Sequence, residues 1–86
     1  MPTISYFYGI YIRLYRNDHS PPHFHVKYNE FEASIEISTG LITDGNLPPR
    51  VRALTEEWRL TRQKEILESW ELMVKFDKVK KVPGLK

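Results

Sequence analysis

From Gly9 to Tyr15 apolar and polar positions alternate, with Ile10, Ile12 and Leu14 on one side and Tyr11, Arg13 and Tyr15 on the other. That is the period of a β-strand whose two faces meet different surroundings. The pattern recurs twice. Phe24, Val26 and Tyr28 alternate with His23, His25 and Lys27, and Phe31, Ala33, Ile35 and Ile37 alternate with Glu32, Ser34 and Glu36. Three runs of this kind predict an antiparallel sheet with one covered face. Asn29-Glu30 has the length of a two-residue hairpin turn, which sets the register. Tyr28 then faces Phe31, Val26 faces Ala33 and Phe24 faces Ile35, while Lys27 meets Glu32, His25 meets Ser34 and His23 meets Glu36 on the polar side. A slip of one residue would bury the histidines and glutamates. Thr39-Gly40 and Asp44-Gly45 bracket a short edge strand near residues 41–43.

Pro48-Pro49 suits a helix start, because the amide hydrogens of the first turn lack partners anyway. Val51, Leu54 and Trp58 follow at helical spacing, and Ile66, Leu67, Trp70, Met73 and Val74 form a second stripe. At 100° per residue the two stripes are offset by about 120°, so two helices are expected, broken near Thr61 acting as an N-cap. Both tryptophans are expected in the core. The expected fold is α+β, a four-stranded, mostly antiparallel sheet covered on one face by two C-terminal helices. Residues 1–76 form the single domain in this reading. Residues 77–86, with Lys78, Lys80, Lys81, Lys86 and the pair Pro83-Gly84, form a flexible lysine-rich tail.

Length and composition narrow the picture. With 86 residues there is room for one core. Cysteine is absent, which removes disulfides and thiolate metal sites and fits a reducing compartment. No apolar run approaches bilayer length and no signal-peptide pattern opens the chain, so a cytoplasmic protein with no membrane partner is expected. A formal charge of +2 does not by itself identify a nucleic-acid binder, though it is compatible with RNA or an acidic protein partner.

The candidate chemistry lies on the polar sheet face. His23 and His25 are two residues apart on one strand, so their side chains leave the same face about 6.5–7 Å apart and can act on one target. Pro21-Pro22 stiffens the approach and keeps Asp18 and His19 near them. One chemistry that suits this set is phosphodiester cleavage in RNA. His23 and His25 would serve as base and acid, Glu36 would orient His23, and Arg13 would stabilise charge developing on the phosphate. Tyr11 and Tyr15 would stack bases and Lys27 would meet the backbone. Nothing in this first chemistry requires a cofactor. The alternative is a non-catalytic module, either a protein-interaction surface or a divalent-metal site, for example zinc held by His19, His23, His25 and Asp18. An exposed sheet face needs polar residues in any case, so His23 and His25 also fit as solvated side chains.

The motif Asp18-His19-Ser20-Pro21-Pro22-His23-Phe24-His25, preceded by Met1 to Ile4 and Phe7 to Ile10, resembles that of a family of small bacterial proteins, a domain of unknown function. The turn Gly45 to Pro48 and the helical Trp58 and Trp70 extend the resemblance to about Leu72. Members are often encoded beside a second small protein, in an arrangement similar to toxin–antitoxin pairs. The resemblance therefore implies one component of such a module, with a protein partner from a neighbouring gene. It also directs attention to Asp18, His19, His23 and His25.

Overall fold

The computed structural model describes residues 2–15 and 21–86. Alternation along the chain becomes five strands: β1 (Thr3–Phe7), β2 (Ile10–Arg13), β3 (His23–Tyr28), β4 (Phe31–Glu36) and β5 (Ile42–Gly45). They form one antiparallel sheet in the order β1-β2-β3-β4-β5, followed by a single helix, α1 (Pro49–Phe76). The α+β class stands, while the strand and helix counts are corrected. The β3–β4 hairpin has the register expected from its turn, from Tyr28 opposite Phe31 to His23 opposite Glu36.

β1 escapes a search for alternation because its pattern is broken. A register irregularity between Thr3 and Ser5 lets both Ile4 and Ser5 lie buried in succession before Tyr6 turns outward. A bulge of this kind shifts the side-chain parity by one residue. β1 joins β2 through Tyr8-Gly9, with φ of 52° and 79°, the positive values that a type I′ hairpin turn requires at both loop positions. Gly9 adopts its conformation freely, whereas a bulky side chain at φ 52° is strained by roughly 1–2 kcal/mol. Tyr8→Asn is therefore expected to raise stability by about 0.5–1 kcal/mol, several degrees in Tm. Thermal denaturation checks this, and an unchanged or lower Tm would mean that the Tyr8 ring makes compensating contacts.

One helix replaces the expected two because its buried stripe is continuous once polar residues are counted. Val51, Thr55, Trp58, Arg59, Ile66, Ser69, Trp70 and Met73 are buried, and at 100° per residue all fall within an arc of about 120°. Thr55, Arg59 and Ser69 bridge the two apolar stripes. Val74, counted in the second stripe, is exposed. Arg62 departs from helical geometry (φ −119°, ψ 21°), a local kink next to the expected break. Thr61 does not cap a second helix, because its hydroxyl donates back to the Glu57 carbonyl at 2.8 Å. Pro49 occupies the first turn as expected, and Asp77 closes the helix in the left-handed conformation with its N–H on the Met73 carbonyl.

Ile10, Ile12, Leu14, Phe24, Val26, Ile35 and Ile37 form the sheet side of the core, and Trp58 reaches the rings of Phe7 and Phe24 at 5.5 Å. The lysine-rich end, expected as a flexible tail, packs onto this core instead. Val82 is buried and donates its N–H to the Ile4 carbonyl at 2.7 Å, Trp58 Nε1 donates to the Pro83 carbonyl, and Ser69 Oγ bonds both Lys80 backbone groups. The segment thereby covers part of the β1 edge. Among the described residues no helix is long and apolar enough to cross a membrane.

Candidate functional site

The face of the sheet away from the core is organised in rows, because paired residues on neighbouring antiparallel strands share a face. One row runs Tyr6, Tyr11, Lys27 and Glu32 across β1 to β4. The next runs Arg13, His25, Ser34 and Asp44 across β2 to β5. A third begins with His23 opposite Glu36. Arg13, Tyr15, His25, Lys27 and Ser34 line a shallow hollow of about 170 Å³, closed on the β4–β5 side by Glu32 and Asp44.

Three rings continue one another across this face, and a fourth, from α1, adjoins them. Tyr15 stacks on His25 with centroids 4.0 Å apart and planes 18° from parallel. His25 meets His23 edge to face at 5.1 Å, and His23 lies 5.4 Å from the Trp70 ring of α1. The imidazoles are thus closer together than their strand positions require. Each has a fixed Nδ1. That of His23 lies 2.9 Å from the Pro21 carbonyl, which only accepts, so Nδ1 is the donor in this contact. That of His25 lies 3.2 Å from Ser34 Oγ, where either atom can donate.

Arg13 donates through Nε to Thr3 Oγ1 at 3.3 Å and its guanidinium lies 5.2 Å from the centroid of the Tyr11 ring, within cation–π range. Lys27 faces Glu32 at 3.7 Å, a well-exposed pair of little energetic weight. Glu36, expected to orient His23, is its cross-strand partner, but its carboxylate accepts the Thr39 hydroxyl at 2.8 Å in the β4–β5 turn. The orienting contact on His23 Nδ1 comes from the backbone. Of the alternative metal set, Asp18 and His19 lie outside the described residues. Among the described residues no three histidine, aspartate or glutamate side chains are placed to hold a metal ion.

Arg13, Tyr15, His25 and Lys27 are brought together as the alternation implied, with His23 adjoining them. Three contributors were not assigned to the site from the sequence. Tyr6 was hidden with β1, although its pairing with Tyr11 follows once the Tyr8-Gly9 turn is recognised. Ser34 was placed opposite His25 but given no role. Trp70 is a core residue, as its helical spacing implies, with 6% exposure, and its ring also lies 5.4 Å from that of His23.

A family model described as Domain of unknown function (DUF4160) matches residues 9–71. The chain belongs to the DUF4160 family. The match runs from the end of the first hairpin turn through most of α1, so Arg13, His23, His25, Ser34 and Trp70 all lie inside the DUF4160 region. The resemblance seen at Met1 to Ile4 falls outside it, as do Tyr6 and the C-terminal segment. No curated protein and no solved structure matches the chain.

Proposed function

We propose that this DUF4160 protein acts on RNA through the polar sheet face, as one component of a two-gene, toxin–antitoxin-like module. The observation that carries this reading is the pair of imidazoles 5.1 Å apart, each with Nδ1 held by a neighbour, beside the cation of Arg13. His23 takes the proton of a ribose 2′-hydroxyl. The 2′-oxygen then bonds to the adjacent phosphorus, the bond from phosphorus to the 5′-oxygen breaks, and protonated His25 delivers a proton to that leaving oxygen. The products are a 2′,3′-cyclic phosphate and a 5′-hydroxyl. Arg13 stabilises the charge that gathers on the non-bridging oxygens. Tyr11 and Lys27 contact the RNA around the reacting phosphate.

Purified protein incubated with RNA in the presence of a chelator is expected to yield cyclic-phosphate ends. The His23→Ala/His25→Ala variant should be slower by about 10²-fold or more, the usual scale of acid–base catalysis. Equal degradation by both proteins would remove the catalytic reading. Co-expression with the product of the neighbouring gene tests the module, with a stable complex expected and separate elution of the two chains counting against it.

A further inference from the structure

β1 and β2 contain no acidic residue, whereas Glu32, Glu36 and Asp44 all lie on β4 and β5. The polar face is therefore divided. Its β1–β3 side carries Arg13 and Lys27 together with two tyrosines, Tyr6 and Tyr11, that pair across the strands with rings 4.5 Å apart and remain 57% and 40% exposed. Aromatic rings this exposed, next to cations and on strands that carry no carboxylate of their own, complement a polyanion that also offers flat apolar surfaces. Nucleic-acid bases on a phosphate backbone have that character.

The Tyr15 ring is already stacked on His25, so it serves the imidazole and is not the open platform. Tyr6 and Tyr11 are the rings of this face that keep the most exposed surface. Arg13 links them to the reacting groups, since it lies over the Tyr11 ring and is the cross-strand partner of His25. Two residues along a strand cover about 7 Å, which is the step from Tyr11 to Arg13 on the same face. A base resting on the tyrosines thus brings its own phosphate to Arg13 and the histidines. In a duplex the base faces are occupied by neighbouring bases, whereas an unpaired base can splay onto an aromatic ring.

We infer that the substrate is single-stranded RNA, and that Tyr6 and Tyr11 form a stacking platform that selects an unpaired base beside the phosphate presented to His23 and His25. This rests on the RNA reading above. It adds Tyr6, which lies outside the residues matched by the family model.

Fluorescence anisotropy with 2′-O-methylated oligonucleotides, which lack the attacking hydroxyl, tests binding apart from cleavage. The wild-type protein is expected to bind a single strand at least about tenfold more tightly than a duplex of the same length. Tyr6→Ala/Tyr11→Ala should weaken single-strand binding by about tenfold to a hundredfold and leave duplex binding unchanged. Tyr6→Phe/Tyr11→Phe, which keeps both rings, should stay within about threefold of wild type. If the double alanine variant fails to fold, Tyr11→Ala alone, compared with Tyr11→Phe, supplies the same contrast. Equal affinity for single strand and duplex, or wild-type affinity in the alanine variants, would overturn the platform while leaving the RNA reading intact. Failure of the wild-type protein to bind either oligonucleotide would overturn both.

Discussion

Ending the chain after Asp77 is expected to destabilise the fold by at least about 3 kcal/mol, a large part of the margin available to a domain of this size. Val82 is 3% exposed, and removing a buried valine from its contacts costs about 1.5–3 kcal/mol. Its loss also leaves the Ile4 carbonyl without that donor. Trp58, wholly buried, loses the acceptor of its indole N–H at Pro83, and Ser69 Oγ loses both of its bonds to Lys80. Some of these groups will gain water, so the pairwise costs do not simply add. The net effect should still lower Tm by about 15 °C or more. Thermal denaturation followed by tryptophan fluorescence checks this, with a red-shifted emission from Trp58 expected in the shortened protein. A truncated chain that melts like the full one would show that residues 78–86 are the mobile tail their composition suggests.

That segment illustrates why parts of the fold are hidden in the sequence. Lys78, Lys80, Lys81 and Lys86 dominate its composition, but Val79, Val82 and Leu85 are the side chains that pack against the core. The β3–β4 hairpin was fully legible because six successive positions alternate without interruption and the two-residue turn leaves no freedom of register. β1 was not, because its bulge places Ile4 and Ser5 both inward and so erases the period of two. In α1 the obstacle was chemical, since three polar residues occupy the buried stripe and a count of apolar positions splits one helix into two. The candidate site was legible to the extent that it lies on regular strands. His23, His25, Arg13 and Lys27 follow from parity alone. The contact between Trp70 and His23 depends on where α1 crosses the sheet, and the role of Tyr6 depends on a strand that alternation did not show.

Among those buried polar residues Arg59 ties α1 to the end of β4, and the two halves of its ion pair are expected to respond unequally to mutation. Arg59 is 4% exposed, donates through Nη1 to the Ile37 carbonyl at 2.9 Å and grips Glu56 through Nε at 2.8 Å and through Nη2. Gly40 gives this guanidinium its room, as a Cβ there would lie 2.8 Å from Nε and Nη2. Glu56→Ala strands a buried cation that cannot lose its proton. Breaking a buried pair in that way costs about 3–5 kcal/mol, and because the Glu56 side chain is 45% exposed a discounted cost of about 2–3 kcal/mol is expected. Arg59→Met removes the charge, keeps much of the packing and leaves the Ile37 carbonyl bonded to Gln63 Nε2, so it should cost less than half as much. The pair also sets a pH dependence. The hydrogen bond from Arg59, followed by its charge and opposed by partial burial, holds the Glu56 carboxyl below its ordinary value of 4.5. A depressed carboxylate pKa contributes stability that is present above 4.5 and is lost as pH falls through the lowered value. Urea denaturation between pH 7 and pH 3 should therefore show wild type losing more stability than Glu56→Gln. Glu68, whose carboxyl is also lowered by the hydrogen bond and charge of Lys80 but whose partner is half-exposed where Arg59 is buried, supplies the control, and Glu68→Gln should leave the acid limb nearly unchanged. Parallel acid limbs for wild type and Glu56→Gln would mean that the Arg59 contact does not persist in solution.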